Sequence, residues 1–276
     1  MIALYVAILN LNPRNPLVHR CSIVFREEWL GNFRFIEYRD WSLEKPSSML
    51  VALPDTGLVG VIGASYLISK LGLEEIGGID SPLLPPIAIV SKGLLRPPIR
   101  IFASNRLAIV YTEVSLAVDA LSNLTATLID YARLRGVDSI VGLTGIPKPN
   151  RLDVTELTTY YVSSIGKNDA AEKCGAKMLE SGVIIGPFAV LMKDAIRKRL
   201  LSTLFLTESF MEFPDPEASA SGLKIISRFL GIEIDVGGLL EQAEMIRFRA
   251  RDVMRSATSN LSKIGKELEY GIPLHT

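Results

Sequence analysis

The sequence predicts an α/β fold in which a mixed central sheet is flanked by helices and followed by a long C-terminal helix. Three observations indicate it. Strand-like and helical segments alternate along the chain from Phe33 onwards. The segment PIRIFASNRLAIVY (98–111) sets Ser104 and Asn105 between two apolar runs, which is typical of an antiparallel hairpin. Residues 236–270 instead carry one continuous helical pattern.

Each element follows from its periodicity. Short apolar or alternating runs predict strands, at residues 33–40, 49–54, 76–80, 86–90, 137–146, 158–164, 182–186 and 202–209. Helical spacing predicts helices, at residues 57–72, 115–136, 168–180, 187–199 and 216–230. We therefore expect three parts: an extra N-terminal segment (1–30), an α/β core (31–235), and a long helix with a tail (236–276). We interpret the N-terminal segment (1–30) as an added strand, a loose tail, or residues upstream of the biological start codon.

The helix at 216–230 begins with an acidic, proline-bearing turn. Asp215 stands where an N-cap belongs, Pro216 occupies the first helical position, and Glu217 lies in the first turn near the positive end of the helix dipole. We interpret these carboxylates as starting the helix rather than as catalytic groups. On this interpretation serine should replace Asp215 at little cost, because serine caps about as well.

The composition limits the classes of binding partner and the cellular compartment that we expect. Lys and Arg total 30 and Asp and Glu total 30, so no net charge draws the chain to nucleic acid or to an anionic membrane. Two widely separated cysteines favour a reducing, cytoplasmic location over a disulfide framework. The apolar run at the N-terminus is too short to span a bilayer and lacks the features of an export signal.

The sequence predicts neither a catalytic centre nor a metal site. Its two histidines, His19 and His275, lie near the two ends of the chain. A catalytic triad or a histidine-rich metal site would need such residues in the core. We expect no catalytic residue, no metal and no cofactor.

One glycine-bearing turn is the sharpest candidate for a binding site. PDTGLVGVIGASYL (54–67) passes from strand to helix, and backbone N–H groups at Gly57, Leu58 and Gly60 could hold an anion there. Its G-x-x-G-x-x-G spacing matches neither the dinucleotide nor the P-loop motif. The favoured interpretation is close packing of the helix on the sheet. The alternative is an anion site that Thr144, Gly145 and Lys148 help to close.

A heptad-like stripe marks the long C-terminal helix. Apolar or small residues recur at intervals of three and four, at Leu239, Ala243, Ile246, Ala250, Val253, Ala257, Leu261, Ile264 and Leu268. The stripe packs either on its own domain or between subunits. In the second case Leu239, Ile246, Val253 and Leu261 form the oligomer or partner interface.

Two segments resemble a known family when they are taken together. PDTGLVGVIGASYLI with IGGIDSPLLPPIAIV is similar to the front half of the proteasome assembly chaperone 2 family in its archaeal form. MEFPDPEASASGLKIISRFLGIEIDVGGLLEQAEMI is similar to its back half, and the likeness covers about residues 33–255 in matching order. The resemblance implies a core like that of the nucleoside phosphorylases, no catalytic centre, and self-association.

The resemblance also implies partners. Members are implicated as chaperones that bind 20S proteasome α subunits or assembly intermediates, in some cases beside a second related chaperone. Some archaeal members end in a hydrophobic residue, tyrosine and any residue, a tail that docks on the assembled proteasome. This chain ends Leu274-His275-Thr276, with histidine in place of tyrosine. It therefore resembles the members without a docking tail.

The first hypothesis is therefore a non-enzymatic, homo-oligomeric assembly chaperone that contacts proteasome α subunits. The alternative is a phosphorylase-like α/β enzyme or small-molecule-binding protein that uses the turn at 55–60 as an anion site. A structural oligomer without a link to the proteasome is a third hypothesis.

Overall fold

A large mixed sheet with helices on both faces forms the centre of the structure. The computed structural model describes residues 24–91, 93–248, 250–251, 253–255 and 258–259. The strands are β1 Arg26–Leu30, β2 Phe33–Glu37, β3 Ser48–Ala52, β4 Glu74–Asp80, β5 Ile89–Ser91, β6 Leu94–Arg96, β7 Ile99–Ser104, β8 Leu107–Tyr111, β9 Ser139–Pro147, β10 Thr159–Ser163, β11 Lys177–Met178 and β12 Leu201–Ser209. The helices are α1 Val59–Lys70, α2 Val118–Leu134, α3 Asp169–Lys173, α4 Pro187–Arg197, α5 Pro216–Phe229 and α6 Gly237–Glu241.

The order of strands in the main sheet is β1-β2-β4-β7-β8-β3-β9-β12-β10-β11, while β5 and β6 form a separate two-stranded sheet. Strands β8, β3, β9 and β12 are parallel to one another. Strands β7, β4, β2 and β1 extend one side by antiparallel pairing, and β10 pairs antiparallel with β12 on the other. The prediction of a mixed sheet flanked by helices is confirmed.

Two apolar layers hold the helices to the sheet. Leu124 and Leu128 of α2 pack with Phe188 and Leu191 of α4 in one layer. Helices α1 and α5 pack on the opposite face, where Leu67 and Leu223 join a second layer. After β3 the chain adds β4, β7 and β8 on one side of that strand. It then runs from β8 through α2 to β9, which lies on the other side of β3, so the order in which strands are added reverses between β3 and β9. Ligands of open α/β sheets commonly bind at the carboxyl ends of the strands at such a point.

A buried glutamate ties β2 to α2. Glu37 is 2% exposed and accepts hydrogen bonds from Tyr131 Oη (2.6 Å) and Trp41 Nε1 (3.0 Å). Arg135 pairs with its other oxygen. Burial raises the pKa of Tyr131, and the neighbouring Glu37 charge raises it further, so the phenol stays protonated and keeps donating to the carboxylate.

Three predicted elements differ from the structure. The helix expected at 168–180 is reduced to α3 and ends before Gly175, whose φ of 102° is not helical, and the short edge strand β11 follows. The strand expected at 182–186 is absent from that stretch, where Val183 is exposed to solvent. The strand expected at 86–90 starts later, as β5, and lies outside the main sheet.

Two further segments lie near the expected boundaries between the parts of the chain. Residues 26–30 form β1, which pairs with β2, so the sheet begins before residue 31. The C-terminal helical region is interrupted at Gln242 after α6; beyond it, residues 243–248, 250–251, 253–255 and 258–259 are helical. Residues 1–23 and 260–276 lie outside the described residues.

Candidate functional site at the carboxyl ends of the parallel strands

The glycine-bearing turn lies at the carboxyl end of β3. A 3-10 turn, Thr56–Leu58, joins β3 to α1, and both Gly57 (φ 63°) and Leu58 (φ 51°) adopt left-handed backbone conformations. The Leu58 N–H donates to the Asp55 carbonyl at 2.9 Å, and the Asp215 N–H donates to the Gly57 carbonyl at 2.9 Å. The turn is therefore bonded to itself and to the start of α5.

Close packing explains the two glycines of this turn. A Cβ added to Gly57 would lie 2.0 Å from Ser209 Oγ, and one added to Gly60 would lie 2.1 Å from the Leu143 carbonyl oxygen. Leu58 between them is buried. These contacts favour the interpretation that the glycines let α1 approach β9 and β12, over the interpretation that they cradle an anion.

A buried carboxyl group lies beside the same turn. Asp55 is 5% exposed, and its Oδ2 accepts a 2.7 Å hydrogen bond from Thr144 Oγ1 of β9. Burial raises the pKa of Asp55 from 3.8 to about 6, against the lowering effect of the Thr144 bond. Gly57 and Thr144 do converge with a charged group, as an enzyme site would require. Both Asp55 and Thr144 are buried, however, so the group is placed to hold the strand ends together rather than to meet a substrate.

The N-cap of α5 also takes part in a buried ion pair. The cap is confirmed, because the Asp215 carboxylate accepts a 3.0 Å bond from the Ala218 N–H and Pro216 stands in the first turn. Arg151 donates to the same carboxylate through Nε (2.8 Å) and Nη2 (3.0 Å), and its guanidinium lies 5.0 Å from the centre of the Phe210 ring. Sequence reasoning missed this partner because Arg151 lies 64 residues away along the chain.

A second pair occupies the neighbouring strand ends. Lys148 Nζ donates a 2.6 Å hydrogen bond to Glu208, whose other oxygen accepts from the Thr158 N–H at 3.0 Å. The bond to Glu208 raises the pKa of Lys148. Lys148, which the anion-site alternative would use, is thus paired with a carboxylate.

The stripe on the C-terminal helix lies against its own protomer where it is described. Leu239 is fully buried, and Ile246 and Val253 are partly buried against the layer that holds α1 and α5. Leu239 therefore has no surface left for another subunit, whereas Ile246 and Val253 keep part of theirs. Leu261 lies outside the described residues, as do Leu274, His275 and Thr276.

Arg247 connects this helix to the start of α5. Its Nη2 lies 2.6 Å from Glu217 Oε2. Although burial disfavours the charged form, the bonds from Arg247 leave the pKa of Glu217 below its ordinary value. Both carboxylates of the acidic turn, at positions 215 and 217, therefore have arginine partners.

Among the described residues, no group of three His, Cys, Asp or Glu side chains is arranged to hold a metal ion. None of the helices in the described part of the chain has the length and apolar character needed to cross a membrane.

The relationship of this chain to known proteins is decided by a family match. The sequence model of the PAC2 family matches residues 49–254. The chain belongs to the PAC2 family. This match spans the parallel strands, the glycine-bearing turn, the acidic start of α5, and part of the C-terminal helix.

Two solved archaeal structures share this fold, and a further archaeal protein is similar in sequence. The crystal structure of Pyrococcus furiosus PbaA, described as an archaeal homolog of proteasome-assembly chaperone, is similar with a TM-score of 0.73 and 24% identity, over 82% of this chain and 98% of that one. Pyrococcus furiosus PbaB, described as an archaeal proteasome activator, gives a TM-score of 0.67 and 20% identity, over 81% and 99%. An uncharacterized protein of Methanocaldococcus jannaschii is 22% identical over 240 residues, 86% of this chain and 98% of that protein. The likeness to nucleoside phosphorylases stays a prediction.

Proposed function

We propose that this protein is a chaperone for assembly of the 20S proteasome that binds α subunits or assembly intermediates as a homo-oligomer. The observation that carries the proposal is the PAC2 family match over residues 49–254. The structural likeness to PbaA, a homolog of proteasome-assembly chaperone, agrees with it. A cytoplasmic location belongs to the same proposal, and a second, related chaperone is a further candidate partner.

The arrangement at the strand ends supports a role without catalysis. The position where open α/β sheets commonly bind ligands is filled by the contact of Gly57 with Ser209 and by the buried pair of Asp55 and Thr144. The nearby ionic groups of Arg151 and Lys148 are bonded to carboxylates. Binding through a surface, rather than in a pocket at this edge, fits that chemistry.

Native mass spectrometry of the full chain, alone and mixed with proteasome α subunits from the same source, tests the proposal. We expect a homo-oligomer that forms a complex of fixed stoichiometry with the α subunits. Bovine serum albumin of equal concentration serves as the partner control. A protein that stays unbound in the presence of α subunits would refute the chaperone role.

The same spectra test the alternative enzyme or small-molecule-binding function. That function predicts a small anion or metabolite retained on the protomer. If the protein retains such a ligand and does not bind α subunits, the enzyme or small-molecule-binding function is favoured instead.

A further inference from the structure

A groove runs beside the start of α5, between the 151–157 segment and the C-terminal helix. Two cavities form it, of about 1020 Å³ and about 650 Å³, and Arg247 lines both. Phe210 and Leu240 line the larger cavity, and Phe213 lines the smaller. The groove lies on the face of the sheet that carries α1 and α5, and Arg151 and Phe210, which lie beside the Asp215 cap, are among its lining residues.

The groove is basic although the chain is neutral. Three acidic side chains line it, at Glu156, Glu212 and Glu217, against six basic ones, at Arg151, Lys224, Arg228, Arg247, Arg251 and Arg255. Arg151 and Arg247 are held by carboxylates. Within the described part of the chain, the other four basic side chains form no ion pair with a carboxylate. The groove therefore presents positive charge that an external anionic partner can meet.

Exposed apolar side chains stand along the same groove. Leu152 is 86% exposed and Phe213 is 65% exposed, and Leu240 is less exposed than either, at 43%. Large apolar groups next to unpaired basic groups are typical of a surface that buries both against a partner.

We infer that this groove binds an extended acidic segment of another protein. Its carboxylates would meet Lys224, Arg228, Arg251 and Arg255, which form no ion pair among the described residues, and an apolar side chain would pack against Leu152 or Phe213. A second copy presenting the same groove would set arginine against arginine, which disfavours that occupant. Glu156, Glu212 and Glu217 would repel a continuous line of phosphates, which disfavours nucleic acid. The inference does not depend on the proteasome role.

Fluorescence anisotropy tests whether the groove binds an acidic segment. The full chain is titrated against a short labelled peptide in which glutamate alternates with leucine. We expect saturable binding that weakens as salt increases, because exposed ion pairs are screened. The double variant Arg251→Glu, Arg255→Glu should weaken binding about tenfold. Lys224→Glu, Arg228→Glu, on the well-packed helix α5, should do the same if the first variant folds poorly.

The matched control is Arg133→Glu, Lys193→Glu, which makes the same change of net charge on α2 and α4, across the sheet. It should leave the affinity within twofold. Equal weakening by groove and control variants would overturn the inference, and so would the absence of binding. Tighter binding of a labelled oligothymidine than of the peptide would overturn it in favour of nucleic acid. A fall in the native oligomer mass of the Arg251→Glu, Arg255→Glu variant would assign the groove to a second copy instead.

Discussion

Replacing Asp215 by serine separates two roles of that residue, the cap of α5 and the partner of Arg151. Considered as a cap alone, the change is nearly neutral, since serine accepts the same N–H bond from Ala218. In the structure Asp215 is fully buried and Arg151 is 9% exposed, so the substitution also leaves a buried guanidinium without its carboxylate. The Phe210 N–H, which donates to Asp215 at 3.1 Å, loses its acceptor as well.

Removing one partner of a buried ion pair costs about 3–5 kcal/mol, because the remaining charge is desolvated and unpaired. We therefore expect Asp215→Ser to lower the free energy of unfolding by about 3–5 kcal/mol, measured by urea denaturation followed by circular dichroism. Asn168→Ser is the matched control. Asn168 caps α3 by accepting from the Ala170 and Ala171 N–H groups, and its Nδ2 donates to Thr203 Oγ1 at 3.2 Å, but it has no ion pair. Its replacement should therefore cost about 1–2 kcal/mol, the loss of one neutral hydrogen bond at an otherwise retained cap.

A double substitution tests the cause of the loss. Arg151→Met in the Asp215→Ser background removes the unpaired charge and fills similar volume, so it should recover part of the lost stability. If Asp215→Ser costs no more than Asn168→Ser, the ion pair contributes nothing measurable and the reasoning is refuted.

Three further predictions concern other parts of the chain. Gly60→Ala should destabilise the fold by about 1–3 kcal/mol or more, since its Cβ would meet the Leu143 carbonyl, whereas Gly63→Ala, facing movable side-chain ends at 3.2 Å, should cost less; equal costs by urea denaturation would contradict the packing argument. Asp55 has a folded pKa of about 6 against an ordinary value of 3.8, so its contribution to stability is present below pH 4 and lost as the pH rises through 6. The full difference corresponds to about 3 kcal/mol at 1.36 kcal/mol per pKa unit, and about half a kcal/mol of it is already lost at pH 4. Asp55→Asn should therefore raise stability relative to the parent by about 2–2.5 kcal/mol more at pH 7 than at pH 4. An equal effect of the substitution at both pH values would show that burial does not raise the pKa of this group. Ile246→Asp should lower the mass measured by light scattering while the protomer stays folded, and an unchanged mass would remove Ile246 from the oligomer interface.

Local pattern was enough to predict most of the sheet and helices, but not the pairing of charges. The cap at Asp215 could be predicted because its determinants, Pro216 and the first-turn N–H groups, are neighbours in sequence. Its ion pair could not, since Arg151 lies in a short 3-10 turn 64 residues earlier. The bond between Thr144 and Asp55 joins residues 89 positions apart and could not be predicted either. Such pairs exist because parallel strands deliver their carboxyl ends to one edge of the sheet. The strand predicted at 182–186 is absent for a related reason. An apolar run forms a strand only when a neighbouring strand pairs with it, and that pairing is not local in sequence.

The same topology explains why partner binding should be sought beside α5 rather than at the strand ends. At the reversal point between β3 and β9, where a ligand crevice would open, the backbone of the Gly57 turn is packed against β12 and hydrogen-bonded to Asp215, the N-cap of α5. Opening that crevice would break the hydrogen bond from the Asp215 N–H to the Gly57 carbonyl and the bond from Thr144 to Asp55. The groove bounded by Arg247 needs no such opening, because Lys224, Arg228, Arg251 and Arg255 already lack carboxylate partners within the described residues. Since an acidic partner there would leave the strand-end pairs intact, its binding should not change the pH dependence that Asp55 gives to folding.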